Sequence, residues 1–301
     1  MNLNLLLEKI HTTKVNYQKI IENSVCVLYC QEKEFDINFV VPVRGRFNFT
    51  KPMYNSFCAA RNKVSGVSII YTVVEFSDSS EHAKFCKDNK INYIWIPCEK
   101  DDMFNKCLAM NVGALFGGKA KSFIFHDLDC LIQSDFFIKL NENVKKTKSN
   151  VIQCFNGRRV LYLNEQLTAN AINWTLDIDN LSLDIDGVSL PFFIGAPGGS
   201  IFIEKELFEF IGGYDPELFC GNSPEDAFFW EKIKTATGDD MPTANNPKID
   251  IFHMNHTVTY YNNPRIDEMK NYYETFKDLT FDEKVSILKL KKQLLKDFVN
   301  D

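Results

Sequence analysis

The feature that most constrains the fold is an alternation of short apolar runs with helix-forming segments along the first half of the chain. The apolar runs predict strands at residues 37–43, 67–76, 91–96 and 122–125. The segments between them predict helices at residues 51–62, 80–88 and 103–116. Since parallel strands need crossover helices, this order predicts an α/β fold with a mainly parallel central sheet covered on both faces.

The remaining chain is less regular. Further strands are expected at residues 151–155, 200–203 and 249–252, and helices at residues 4–23, 205–211, 224–235 and from 281 onward. Residues 156–198 have weak periodicity, which indicates a long irregular segment that could close over a ligand. We therefore expect an N-terminal helical extension over residues 1–36, a catalytic domain over 37–265 and a C-terminal helical tail over 266–301 packed on it.

Composition excludes several classes of protein. No apolar run reaches the roughly 18–20 residues of a membrane span, and the N-terminus lacks the basic and apolar regions of a secretion signal. Nine scattered cysteines without CxxC pairs argue against a disulfide framework or a zinc site and favour a reducing, cytoplasmic location. A net charge of −6 without a basic cluster makes nucleic acid an unfavourable partner.

The sharpest motif is an acidic pair after a predicted buried strand. The run 122–125 is followed by Asp127 and Asp129, at the sheet edge where ligands of α/β folds bind. In extended backbone, residues two apart point the same way, so both carboxylates could face one divalent ion or its phosphate ligands. Two other acidic pairs, at 177/179 and 184/186, follow no buried strand and are interpreted as solvated loop residues.

Two histidines follow the last predicted strand. His253 and His256 are separated by two residues, so both rings could reach one ion, and imidazole is an acceptable ligand for Mn²⁺. Together with the strand-end carboxylates, they predict a site for Mn²⁺ or Mg²⁺.

A second acidic pair, Glu225 and Asp226, opens the helix predicted from residue 224. Ser223 could cap this helix and Pro224 could occupy its first position. The carboxylates could simply favour the helix dipole, or one of them could act as a general base facing the sheet edge.

Two loop segments complete the candidate site. Pro42, Arg44 and Arg46 end the first predicted strand, where arginines can bind phosphate oxygens, and the segment matches neither a Walker loop nor a dinucleotide fingerprint. Gly198 and Gly199 enter a predicted strand, and they allow either a close ligand approach to the backbone or a tight turn.

The order of these motifs resembles the GT-A fold glycosyltransferases, in particular the β-1,4-galactosyltransferase family and bacterial chondroitin-polymerase-type catalytic domains. The resemblance runs from about residue 38 to 264. Its motifs are P-x-R-x-R at 42–46, a Phe-Asn-Lys-x₄-Asn-Val-Gly helix at 104–113, Asp-Leu-Asp at 127–129, Gly-Gly-Ser at 198–200, Ile-Gly-Gly-Tyr at 211–214, Glu-Asp at 225–226 and the histidine segment.

The resemblance implies a UDP-sugar donor. Pro42, Arg44 and Arg46 would hold the diphosphate and nucleotide. Phe104 and Lys106 would contact the uridine, although the family commonly has arginine at the position of Lys106.

The resemblance also implies how the donor sugar and the metal are held. Asp127 would face the ribose and the donor sugar. Asp129 and His256 would bind Mn²⁺, and His253 stands where family members carry a methionine or histidine ligand.

For the reaction, the resemblance implies an inverting displacement in which Asp226 is the base and Glu225 binds acceptor hydroxyls. Segment 156–198 would close over donor and acceptor. The acceptor would be a saccharide hydroxyl of a growing or lipid-linked glycan, and peripheral contact with a membrane stays open.

Two positions depart from the family pattern. Galactosyltransferases have a tyrosine that crowds the 2-position of the donor sugar, and here it aligns with Ala196, which favours UDP-GalNAc, or UDP-GlcNAc, over UDP-galactose. The acceptor-stacking tryptophan of the family aligns with Asn222, so the acceptor is not inherited, and Trp174 is a candidate replacement. A retaining GT-A transferase, a nucleotidyltransferase, and a catalytically silent carbohydrate-binding or assembly protein remain alternatives.

Overall fold

The computed structural model describes residues 3–29, 32–190, 197–257 and 263–297. Its strands are β1 (Val25–Val27), β2 (Phe35–Val43), β3 (Ile69–Ser77), β4 (Asn92–Pro97), β5 (Ala120–His126), β6 (Cys130–Ile132), β7 (Val151–Gln153), β8 (Leu161–Leu163), β9 (Val188–Ser189), β10 (Ser200–Glu204) and β11 (Ile251–His253). Its α-helices are α1 (Leu3–Thr12), α2 (Tyr17–Glu22), α3 (Thr50–Lys63), α4 (Ala83–Asp88), α5 (Lys106–Phe116), α6 (Phe136–Thr147), α7 (Glu165–Ile172), α8 (Lys205–Phe210), α9 (Glu225–Thr237), α10 (Ile266–Asp278) and α11 (Phe281–Asp297).

The main sheet has the strand order β1-β4-β3-β2-β5-β10-β7. Strand β2 pairs in parallel with β3 and β5, and β3 pairs in parallel with β4. Strands β1 and β10 run antiparallel to their neighbours. The predicted α/β class, with a mainly parallel mixed sheet flanked by helices, is confirmed. The parallel strands end at one edge of the sheet, and that edge carries the candidate site.

Residues 39–43 of β2 form a continuous apolar run because both faces of the strand are buried. Phe39 and Val41 point into one hydrophobic core, in which Phe57 of α3 also packs. Val40, between them, points into the opposite core together with Val112 of α5. An alternating polar face would leave polar groups buried under one of the helices, so the sequence lacks it.

A second, smaller sheet has the order β6-β11-β8-β9. Strand β11 pairs antiparallel to β6 and parallel to β8. Two of its four strands, β8 and β9, lie within segment 156–198, which is predicted to be irregular. That prediction is wrong for β8, α7 and β9, because elements of two to eight residues are too short to show a clear period.

The chain ends also differ from expectation. The single helix predicted over residues 4–23 is two helices, because Asn16 caps α2 by accepting a hydrogen bond from the Lys19 N–H at 2.9 Å. Residues 25–27 then add strand β1 to the main sheet, and α11 packs on α8 and α9. The division at residues 36 and 265 stays a prediction. No helix within the described ranges has the length and apolarity needed to span a membrane.

Helix α11 packs directly on the turn that follows α8. Gly212 in this turn has φ +72°, and a Cβ there would overlap the Cβ, carbonyl carbon and oxygen of Lys291 in α11. The Lys291 ammonium reaches into the protein and pairs with Asp215, at 3.3 Å, and with Glu217. These three side chains are buried, so the C-terminal helix is tied to the loop that leads to α9.

Replacing Gly212 with alanine should therefore destabilise the protein strongly. Gly212→Ala combines a left-handed backbone, worth about 1–2 kcal/mol, with a steric overlap that adds about 1–3 kcal/mol. Gly66→Ala is the matched control, because Gly66 has φ +75° and open space around the site of its Cβ. Urea unfolding should show a larger loss of unfolding free energy for Gly212→Ala; equal losses would contradict the packing role of this glycine.

Candidate active site

The two carboxylates after β5 point to different partners. The Asp127 N–H donates to the Gly199 carbonyl at 3.0 Å, and the Cys130 N–H donates to the Asp127 carbonyl at 3.1 Å, which closes a turn. The extended backbone expected at this motif is therefore wrong, because the chain turns here from β5 into β6. As a result the Asp127 carboxylate faces Lys106, whereas the Asp129 carboxylate faces the histidines.

Asp129, His253 and His256 form one cluster. Nε2 of His256 lies 3.1 Å from Oδ2 of Asp129, and Nε2 of His253 lies 3.6 Å from the same oxygen. The ligand atoms of these three residues all lie within 4.8 Å of one another. Strand pairing brings them together, since His253 of β11 lies opposite Cys130 of β6 and the Met254 N–H donates to the Asp129 carbonyl at 2.8 Å.

The ionisation of the cluster suits a cation. Burial alone raises the pKa of Asp129, but the hydrogen bond from His256 and the nearby His253 and Arg46 outweigh it and hold this pKa below its ordinary value. Burial lowers the pKa of His253 in spite of the Asp129 charge, so its ring is neutral at neutral pH. One carboxylate oxygen and two imidazole nitrogens are a donor set that Mn²⁺ accepts, so the residues present fit the predicted metal.

The arginine segment follows β2 at the same edge. Arg46 has a left-handed backbone with φ 56°, and its guanidinium binds Oδ2 of Asp129. Ring Nε2 of the buried His82 lies 3.1 Å from the Gly45 carbonyl and thereby fixes this turn. Arg44 donates to the carbonyls of Lys100, at 2.9 Å, and Asp102. Both arginines thus line the sheet edge.

Pro42 and Phe104 are the two other residues predicted to bind the nucleotide. Pro42 is buried inside β2 and pairs with Val74, so it shapes the strand that ends at the arginines. The ring of Phe104 lies 6.4 Å from that of Phe76, and the Phe104 carbonyl accepts a hydrogen bond from the Gly221 N–H at 2.7 Å. Their contacts with a nucleotide stay predictions.

Lys106 links the two acidic pairs. Its Nζ lies 2.9 Å from Oδ1 of Asp127 and 3.4 Å from Oδ2 of Asp226. Burial lowers the pKa of Lys106, but the charges of Asp127, Asp226 and Glu225 raise it well above its ordinary value. The ammonium is therefore charged and offsets a group of carboxylates that would otherwise repel one another.

The pair at residues 225 and 226 lies in the first turn of α9. The capping role expected for Ser223 is wrong: the helix starts at Glu225 with no side-chain cap, and the Ser223 hydroxyl donates to Oε2 of Glu225 at 2.8 Å. A Cβ on Gly198 would overlap Oδ2 of Asp226, so glycine is required there for this close approach. The Trp230 indole N–H also donates to the Pro197 carbonyl at 2.8 Å, which anchors α9 to the same segment.

Both carboxyl groups of this pair hold protons more tightly than usual. Burial and the Asp226 charge raise the pKa of Glu225 to about 8, against the opposing effect of Lys106. Burial and the Asp127 charge also raise the pKa of Asp226. Oδ1 of Asp226 is buried and has no hydrogen-bond partner among the described residues. That oxygen is therefore available to accept a proton.

The acidic and histidine residues of the site were predicted from the sequence, but residues that contact and position the site were not. His82 and Tyr162 contact the arginine turn and the His253 ring respectively. Their only signal in the sequence is a side chain with a hydrogen-bonding group beside an apolar run. This pattern is too common to identify these two residues. Ala196 lies outside the described residues. Asn222 is exposed, and Trp174 is 41% exposed with φ 55°.

Comparison with known proteins identifies the fold. No protein-family model and no curated protein sequence matches the chain. The structure is similar to residues 1–349 of TarS from S. aureus in complex with UDP-GlcNAc, with a TM-score of 0.51 and 13% identity over 88% of this chain and 72% of that one. The chain has the GT-A fold.

Two other GT-A structures are similar at lower scores. One is a β-1,4-galactosyltransferase 7 mutant from Drosophila in complex with manganese, UDP-Gal and xylobiose, with a TM-score of 0.46 and 17% identity over 78% of this chain and 79% of that one. The other is the mannosyltransferase PcManGT from Pyrobaculum calidifontis in complex with GDP-Man and Mn²⁺, with a TM-score of 0.47 and 14% identity over 97% of this chain and 80% of that one.

The raised pKa of Glu225 predicts a pH-dependent stability. Because the folded-state pKa lies above the unfolded value, the folded protein binds more protons between pH 4.5 and 8, and this group's contribution falls as pH rises through that window. At pH 9 the folded protein has to ionise Glu225, and Glu225→Gln should remove this cost and raise the unfolding free energy by about 1–2 kcal/mol. The gain is limited because Ser223 and the helix N-terminus partly stabilise the charged carboxylate.

The measurement is urea unfolding of both proteins at pH 5 and pH 9. The control is Glu206→Gln, an exposed glutamate in the first turn of α8. A parallel pH dependence in wild type and Glu225→Gln would show that the pKa of Glu225 is not raised in the folded protein.

Proposed function

We propose that this chain is a metal-dependent glycosyltransferase that transfers a hexose or N-acetylhexosamine from a UDP-sugar to a saccharide hydroxyl. The observation that carries the proposal is the cluster in which Nε2 of His256 and of His253 lie 3.1 and 3.6 Å from Oδ2 of Asp129, at the carboxyl edge of a GT-A sheet. The similarity to TarS, which binds UDP-GlcNAc, supports a UDP-sugar as the donor.

The site supplies the electrostatics that departure of a diphosphate requires. Asp129, His253 and His256 would hold Mn²⁺ or Mg²⁺, which when bound would offset the charge that develops on the leaving group. Arg46, with 42% of its side chain exposed, lies beside Asp129 and would bind phosphate oxygens, with Arg44 next to it on the same loop.

Asp226 is proposed as the general base of an inverting displacement. The acceptor hydroxyl would attack the anomeric carbon, the bond from that carbon to the UDP oxygen would break, and the hydroxyl proton would pass to Oδ1 of Asp226. This oxygen is buried and unpartnered within the described chain, while Lys106 holds the other oxygen at 3.4 Å. Glu225, in the same helical turn, would bind acceptor hydroxyls, and Asp127 would face the donor sugar.

The remaining assignments rest on the sequence. A cytoplasmic location, a growing or lipid-linked glycan as acceptor, and peripheral contact with a membrane are part of the proposal. So are the three-part domain division and the contacts of Pro42, Phe104, Gly198 and Gly199 with the donor.

Loss of the metal cluster should abolish transfer. The protein is incubated with a panel of UDP-sugars and oligosaccharide acceptors, in the presence of either Mn²⁺ or EDTA. The masses of the products are determined by mass spectrometry. We expect one added sugar only with Mn²⁺. Asp129→Asn should lose about 100-fold or more in activity, because it removes a carboxylate that would hold the cation opposite the leaving group. The matched control is Asp186→Asn, in an acidic pair that is exposed.

The same assay separates the alternatives. Asp226→Asn should lower turnover by about 10²–10⁴-fold while UDP binding persists, as expected for loss of a general base. NMR of the new anomeric proton should show inversion; retention would assign the chain to the retaining GT-A enzymes. Binding of oligosaccharide without any Mn²⁺-dependent transfer or hydrolysis would indicate a silent carbohydrate-binding protein.

The donor should carry an N-acetyl group. Because Ala196 replaces a bulky tyrosine of the galactosyltransferases, we expect UDP-GalNAc or UDP-GlcNAc to be hydrolysed faster than UDP-galactose. Ala196→Tyr should reduce use of the N-acetylated donors by at least 10-fold, roughly the cost of one steric clash in a pocket, and should spare UDP-galactose. Ala196→Ser is the control for a change at the same position, and a preference of the wild type for UDP-galactose would contradict the prediction.

A further inference from the structure

The two histidines of the proposed metal cluster lie on a short stretch of chain with little regular secondary structure. His253 ends β11, a strand of three residues, and His256 follows in irregular backbone. Imidazole rings that bind a metal need a fixed orientation, which is normally supplied by a hydrogen bond from the second ring nitrogen. The orientation of these two rings therefore depends on contacts with other elements of the fold.

Among the described residues, a hydrogen bond of this kind is present at His256 and absent at His253. Nδ1 of His256 lies 3.1 Å from the Thr257 carbonyl, whereas Nδ1 of His253 is buried without a partner among the described residues. The ring of Tyr162 instead stacks on His253, with centroids 4.6 Å apart and an angle of 24° between the planes. Strand pairing sets this contact, because Tyr162 of β8 lies directly opposite His253 of β11.

The backbone between the histidines is held by the next element of the chain. The Asn255 N–H donates to Oγ1 of Thr168 at 2.7 Å. Thr168 is buried in α7, which begins two residues after β8 and is capped by Asn164. Tyr162 and Thr168 therefore belong to one continuous segment, β8–α7, that contacts both the His253 ring and the turn leading to His256.

We propose that Tyr162 and Thr168 are positioning residues for the imidazole pair. This inference rests on the proposed metal role of the cluster. Tyr162 takes the place of the missing hydrogen bond at His253 by packing against the ring face, and Thr168 fixes the turn. Within segment 156–198, β8–α7 (residues 161–172) is then a fixed support of the metal site.

Mn²⁺ affinity tests the inference without any sugar nucleotide. The full chain is titrated with Mn²⁺, and free metal is followed by electron paramagnetic resonance. Tyr162→Leu should weaken binding by about 10-fold or more, the usual effect of removing a support of a metal ligand, whereas Tyr162→Phe keeps the ring and should bind like wild type. Thr168→Val should weaken binding, and Thr168→Ser, which keeps the hydroxyl, should restore it.

The matched control is Thr147→Val, because the Thr147 hydroxyl donates within its own helix, to the Asn143 carbonyl at 2.9 Å. It should leave Mn²⁺ affinity unchanged. Circular dichroism of the metal-free proteins shows whether each variant folds; if Tyr162→Leu does not, the Thr168 pair carries the same test.

A double-mutant cycle shows whether Tyr162 acts through His253. In a His253→Ala background, Tyr162→Leu should cause no further loss of Mn²⁺ affinity, while Thr168→Val should still weaken binding through the turn that carries His256. Unchanged affinity in Tyr162→Leu and Thr168→Val, with wild type binding Mn²⁺, would overturn this inference alone. Absence of Mn²⁺ binding by wild type would overturn the proposed metal role and the inference with it.

Discussion

The charge of Asp129 is buried, and a carboxylate removed from water has to be stabilised by positive or hydrogen-bonding partners. Two segments far from Asp129 in the chain provide them: Arg46 after β2, and the segment at the end of β11 with His253 and His256. The strands that carry these residues are therefore fixed relative to one another by the same group that would hold a cation. Structural stability and the proposed binding of a divalent ion have one origin at this position.

A second set of charges is balanced differently. Lys106 lies between Asp127 and Asp226, so one ammonium group serves two carboxylates that belong to opposite halves of the fold. Burial raises the pKa of Asp226, and the lysine limits that rise. The result is a carboxylate with one oxygen paired and one without a partner among the described residues, an arrangement suited to taking a proton from a hydroxyl group.

The features of the fold and site that could be predicted were those encoded in short stretches of sequence. Alternating apolar and helical segments predicted the parallel strands, since burial of both sheet faces favours a continuous apolar run such as residues 39–43 of β2. Asp127 and Asp129 were found because they follow such a strand. Strands β6, β8 and β9 of the small sheet were missed, because strands of two or three residues carry no clear period. The direction of the Asp127 carboxylate was missed because the turn at residues 128–129 cannot be predicted from spacing.

By itself, the sequence determined the α/β class, the order of the acidic, arginine and histidine motifs, and the edge of the sheet at which they should meet. Only the tertiary structure decided which of these groups share a partner: Asp129 with His256, Asp127 with Lys106, and Tyr162 with His253. The physical reason is the separation along the chain over which each property is decided. Apolar periodicity reflects burial, which each residue experiences locally, whereas a contact between charges or rings depends on distances set by strands up to 127 positions apart in the chain.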